Sequence, residues 1–125
     1  MKTWAKLWNR SKIPRKQRKY RYNAPLHIRH KLMSVNLSKD LRKRYGIRNI
    51  PSRKGDRVQV LRGQFKSKSG QINKISLKEL KVYIDGIENI RRDGTKTLYP
   101  FNPSNLRIIE LNIDDKKRKI KLRSA

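Results

Sequence analysis

The chain has 125 residues, 35 Lys and Arg against 9 Asp and Glu, and a formal charge of +26. A compact body with that excess repels itself, so the composition implies a complex with a polyanion. With 34% hydrophobic residues, only part of the length can build a core. Cysteine is absent, which excludes disulfides, thiolate zinc sites and thiol catalysis. No apolar run approaches the ~18 residues that span a membrane, and the first residues lack the ~7–15-residue apolar stretch of a signal peptide. The expectation is an intracellular, soluble protein that uses no cofactor, metal or small-molecule substrate.

The charge is uneven. Residues 1–50 hold 16 cations against one acid (+15), residues 51–113 hold 13 against 6 (+7), and residues 114–125 hold 6 against 2 (+4). Three parts follow: a basic, partly helical N-terminal extension (1–50), a folded β domain (51–113) and a basic C-terminal tail (114–125).

Trp4, Leu7 and Trp8 are three and four apart and would share one helix face. They form either an aromatic wedge for bases or a neighbouring protein, or a turn packed on their own chain, or a disordered start. Pro14 predicts an extended entry to Arg15, Lys16, Arg18, Lys19 and Arg21, interleaved with Tyr20 and Tyr22. Cations for phosphates beside rings for stacking point to nucleic acid, with a localisation signal as an overlapping use. Pro25 opens a helix carrying Leu26, Ile28, Leu32 and Met33. His27 and His30 lack carboxylate or Cys partners, which favours rim histidines near phosphate over a metal pair. Ser38 reads as an N-cap, Asp40 suits the first turn, and Gly46 ends that helix after Tyr45. Ile47 to Pro51 reads as a linker.

From there the pattern changes to alternation. Strands are predicted at Arg57–Arg62, Gln71–Ser76, Leu80–Ile84, Ile87–Arg92, Thr95–Tyr99 and Leu106–Leu111. Gly63 to Gly70 is a loop carrying Lys66 and Lys68, Leu77–Glu79 and Asp85-Gly86 are turns, and Pro100 to Asn105 is a loop. Asp93-Gly94 is a strong hairpin signal with a basic tip, Arg91, Arg92 and Lys96. The apolar phase slips between Ile108 and Ile109, which calls for a bulge or burial on both faces. Asp114-Asp115 opens a short basic helical tail. About five short strands in so few residues bury enough only if they close on themselves. The fold class is mainly β, a small SH3-like barrel. Its core would be Val58, Val60, Ile72, Ile75, Leu80, Val82, Ile84, Leu98, Leu106 and Ile108. Gly55, Gly63 and Gly70 serve tight turns with positive φ.

Gly55-Asp56-x-Val58-x-Val60, Gly63, Phe65-Lys66 and Gly70 resemble the KOW motif of ribosomal proteins and transcription elongation factors. Further blocks look like the archaeal and eukaryotic-type twenty-fourth large-subunit ribosomal protein. They are Asn23-Ala24-Pro25-Leu26-His27-Ile28-Arg29, Leu37 to Leu41, Arg44-Tyr45-Gly46, Asn102 to Asn105 and Leu111 to Asp115. The resemblance covers roughly residues 14 to 122. It implies a structural constituent of the large subunit, bound to large-subunit rRNA near its 5′ end and to neighbouring proteins near the exit tunnel. Early subunit assembly and a place on the cytoplasmic ribosome are implied with it. The candidate RNA contacts are Arg15, Lys16, Arg18, Lys19, Tyr20, Arg21, Tyr22, His27, Arg29, Lys54, Arg57, Arg62, Lys66, Lys68, Arg91 and Arg92. Two departures stand out. The family usually has glycine where this chain has Ser67, which predicts a loop built differently, and Met1 to Ile13 has no counterpart. The alternative is a KOW-containing transcription or translation factor that binds RNA or polymerase. An enzyme is disfavoured because no nucleophile–base or metal-ligand set appears.

Overall fold

The computed structural model describes residues 4–7 and 10–123. The helix face expected for Trp4, Leu7 and Trp8 lies partly outside the described residues; Lys6 and Leu7 stand in a turn. The elements in order are α1 (Pro14–Asn23), α2 (Leu26–Leu32), β1 (Ser34–Leu37), α3 (Lys39–Tyr45) and β2 (Asn49–Pro51). There follow β3 (Arg57–Val60), β4 (Ser69–Ser76), β5 (Lys81–Ile90), β6 (Lys96–Phe101), a 3-10 turn (Pro103–Asn105), β7 (Leu106–Glu110) and α4 (Lys116–Arg123).

The mainly β class stands, with a different strand set. Seven strands pair in the order β2-β1-β7-β3-β4-β5-β6. Two of them, β1 and β2, come from residues 34–51 and pair Val35 with Ile50. At four and three residues each they are too short for alternation to stand out, and Pro51 conceals the second. Residue 50, where the basic extension is expected to end, lies inside β2 and is buried. Every pairing is antiparallel except β1 with β7, where Asn36 and Leu37 lie beside Arg107 and Ile108. β4 carries the chain between the two halves. Ser69 to Gln71 pair with β3, and Ile72 to Ser76 pair with β5.

One expected turn changes character. Asp85-Gly86 does not reverse the chain; β5 runs straight through it as a single ten-residue strand. Its register with β6 shifts between Tyr83 and Glu88, and Gly86 at φ +79° absorbs the distortion. Glycine inside a strand marks a bulge as readily as a turn. The phase slip at Ile108-Ile109 is a bulge: Val58 pairs with Ile108 and Arg57 with Glu110, which leaves Ile109 unmatched.

The Pro14 segment is corrected from extended to helical. Pro14 sits at the first helical position, where its missing N–H would have had no partner and its fixed φ is already helical. The nine residues after it include neither glycine nor a β-branched side chain. The α3 signals act as read. The Ser38 hydroxyl accepts from Leu41 N at 3.4 Å, and Gly46 takes the left-handed φ of +68°.

Val58, Val60, Ile72, Val82, Ile84, Leu106 and Ile108 are buried in one cluster. Ile75 and Leu80 only lean against it, the latter because φ of +54° places it in the turn before β5. Leu98 is half-buried outside it. The cluster also takes Met33, Val35, Leu37, Ile50, Ile87, Phe101 and Leu122. At about 1.5–3 kcal/mol per large apolar side chain, these additions, five of them from the flanks, matter as much as the core residues foreseen.

Candidate nucleic-acid interface

The interface starts from a contact inside the domain. Asp56 follows Gly55, whose φ of +94° turns the chain into β3, and its carboxylate is fully buried. Arg118 of α4 meets it with two parallel bonds, Nη1 to Oδ1 at 2.6 Å and Nη2 to Oδ2 at 2.7 Å. Asp56 also accepts from the backbone of Arg53 at 3.0 Å and Asn112 at 2.9 Å. Arg118 further donates to the carbonyls of Asn112 at 2.8 Å and Pro51 at 3.3 Å. A bidentate ion pair of this kind holds its geometry tightly even though Arg118 Nε is buried without a partner, and removing either partner strands a buried charge. The sequence does carry a signal for it. Asp56 is the only acid between Asp40 and Glu79, and a lone carboxylate in so basic a stretch serves the structure.

The clamp converts the C-terminal tail into a fixed helix. Asp115 caps α4, accepting from Lys117 N at 3.0 Å, and pairs with Arg53. Arg53, Lys117 and Lys121 thereby line one shallow cleft, and His30, Arg53 and Lys54 line a larger groove over Met33, Ile75 and Leu77.

On α1, Arg15, Lys16, Arg18, Lys19 and Arg21 are all exposed, with no acid in the helix. The helical spacing places Arg15, Arg18, Lys19 and Tyr22 along one face. Tyr22 is 75% exposed. Tyr20 is not a free ring, because Trp4 packs on it with centroids 5.2 Å apart. The like-charge pair Arg15 and Lys19, four apart, destabilises the isolated helix by ~0.2–0.5 kcal/mol, a cost that a bound polyanion removes. His27 is exposed on α2. Arg29 turns inward instead. Its guanidinium donates to the Ala24 carbonyl at 3.0 Å and to the Tyr22 carbonyl, bracing α2 against the end of α1.

Around β3 and β4, Lys54, Arg62, Lys66 and Lys68 are exposed, while Arg57 lies 3.5 Å from Glu110. The Lys68 ammonium stands 5.2 Å from the Phe65 ring centroid. Gly63 bends at φ +95°, and Ser67 adopts φ +71° with its N–H donating to Val60 O at 2.9 Å. The loop therefore keeps the left-handed turn that glycine would ease, and Ser67 bears the strain. Gly70 is corrected. It lies in β4 without positive φ, and a Cβ there would come within 2.6 Å of Ile84 Cγ2 and 2.7 Å of Asp85 O. Its role is close approach of two strands rather than turning.

Arg91, Arg92 and Lys96 are exposed at the β5–β6 tip, where Arg91 N donates to Thr95 O at 2.9 Å. The Thr95 hydroxyl and N–H, both donating to Asp93, hold that carboxyl below its ordinary range. This tip lines neither of the two clefts described above. Among the described residues no three His, Cys, Asp or Glu side chains gather where they could hold a metal ion.

Exposed cations around an internally latched β domain define a class of structural protein that meets a polyanion. The family of ribosomal proteins that comprises eukaryotic L26 and the archaeal twenty-four type matches residues 11–124, and the chain belongs to it. It is accordingly a protein of the large ribosomal subunit, placed among ribosomal RNA and other ribosomal proteins, with a structural role. The match reaches into Ser11–Ile13, part of the opening expected to have no counterpart.

Proposed function

We propose that this chain binds large-subunit rRNA near its 5′ end, beside the polypeptide exit tunnel and its neighbouring proteins, and acts early in assembly of the cytoplasmic subunit. The observation that carries the reading is α1, a ten-residue helix with five exposed cations and no acid. Backbone phosphates are the ligand that such a surface recognises. Lys54, Arg62, Lys66 and Lys68 extend the same chemistry around β3 and β4, and His27, Arg91 and Arg92 add outlying contacts. Arg57 contributes in competition with Glu110. The Gly55–Gly70 stretch is read as a KOW motif in an SH3-like barrel, supported by the positive φ of Gly55, Gly63 and Ser67.

Affinity for an rRNA fragment from the 5′ region, measured across a salt series, tests this. Each phosphate neutralised contributes roughly −0.9 to the log–log slope on duplex and −0.7 on single strand. Changing all five α1 cations to Gln should therefore make the slope shallower by roughly four. A wild-type slope near zero sinks the reading.

A further inference from the structure

One cleft differs from the charged surfaces already described. Between the Gly63–Phe65 turn and β6 lies a cavity of about 300 Å³, at the small end of the ~300–1,000 Å³ typical of ligand pockets. Three aromatic residues stand in an otherwise largely polar wall. The rings of Phe65 and Tyr99 meet edge-on with centroids 5.0 Å apart, and those of Tyr99 and Phe101 lie 4.9 Å apart. Phe101 is buried and fixes the cluster in the core, while Phe65 and Tyr99 are half-buried and line the cleft. Arg62 and Lys81 line it as well, and no acid does. Asn105 adds an amide that can both donate and accept.

An aromatic cluster at the end of a sheet is ordinary packing when it stands alone. Here two of its rings border open volume, the cations beside it are of one sign, and an amide completes the wall. Ring faces for stacking, cations for a backbone and an amide for a base edge are the three things an unpaired nucleotide can engage. A duplex cannot enter, because its bases are stacked on one another. We propose that this cleft takes an unstacked nucleobase of single-stranded RNA, with Tyr99 and Phe65 as the stacking surface and Arg62 and Lys81 on the flanking phosphates. The site deepens the RNA-binding reading above and rests on it.

The test uses the full chain with three probes of equal length: single-stranded oligo(A), the same strand carrying abasic positions at its centre, and a fully paired RNA duplex. Oligo(A) should shift the ring NMR signals of Phe65, Tyr99 and Phe101; the abasic strand and the duplex should not. Tyr99→Leu keeps apolar bulk and removes the ring, so oligo(A) affinity should fall roughly tenfold, the order of one base–aromatic stack, with duplex affinity unchanged. Tyr99→Phe should retain binding. Ring signals unmoved by oligo(A) overturn the site, as does an equal loss on oligo(A) and duplex. Ring shifts produced by a proline-rich peptide but not by oligo(A) would assign the cleft to a protein ligand and overturn it too. Should Tyr99→Leu fail to fold, the wild-type ring signals decide alone. Failure of the underlying reading looks different: the wild-type chain then binds neither strand nor duplex, and the site falls with it.

Discussion

Two arginine-bearing helices, α1 and α4, are both strongly basic and have opposite destinies. Neither carries an acid within its bounds, and both are mostly exposed. α1 has no buried residue and turns its charge outward. α4 sends Arg118 and Leu122 into the domain, where Arg118 meets a buried carboxylate. The difference lies in Leu122, which α1 has no aliphatic residue to match, and in a carboxylate partner 62 residues away. Basic sequence is therefore a poor guide to which cations bind and which brace; Arg29, turned onto carbonyls of its own chain, makes the same point.

The comparison can be broken from either side. Arg118→Ala leaves Asp56 buried without its partner and should cost about 3–5 kcal/mol, read as a lower denaturant midpoint. The α1 five-fold Gln variant should leave that midpoint unchanged or slightly raised while RNA affinity falls. If instead the α1 changes destabilise the fold and Arg118→Ala does not, the assignment of roles is reversed. Within the sheet, Gly70→Ala must push Ile84 and the Asp85 carbonyl apart, and should cost about 1–3 kcal/mol as an overpacked site. Ser67→Gly should stabilise by up to about 1 kcal/mol, because the native φ is one that glycine adopts freely. An unchanged melting temperature for Ser67→Gly would mean that the loop relaxes without strain.

Much of the β domain was legible because its signals are local. Val58 and Val60 alternate, Asp93-Gly94 makes its hairpin, and Ser38, Asp40 and Gly46 bracket α3, each within a few residues. The Ile108-Ile109 slip likewise announces its bulge. What stayed hidden is decided at a distance. β1 and β2 exist because each finds a neighbour, and neither is long enough to show a period. α1 was obscured by a proline equally at home before an extended segment and at a helix start. Of the candidate contacts, the cationic positions on α1 and in the Gly63–Gly70 loop are exposed as expected, but no local pattern tells that Tyr20 is covered by Trp4 or that Arg29 braces two helices. Nor does any local pattern join Tyr99 to Phe65, since 34 positions separate them.

The place of β7 in the sheet has a consequence for how the chain is made. It lies between β1 and β3, so the strand near the end of the sequence joins the earliest pair of strands to the rest. Until residues 106–110 arrive, β1–β2 can form only an isolated hairpin and β3–β6 only a separate meander. Val35, Leu37 and Ile50 then stay uncovered on one piece while Val58 and Val60 stay uncovered on the other. Pairings so far apart in sequence close late, and α4 cannot seat Arg118 until Asp56 has a formed site to receive it. The apolar interior thus stays open until β7 and α4 have emerged, and those two segments shut it.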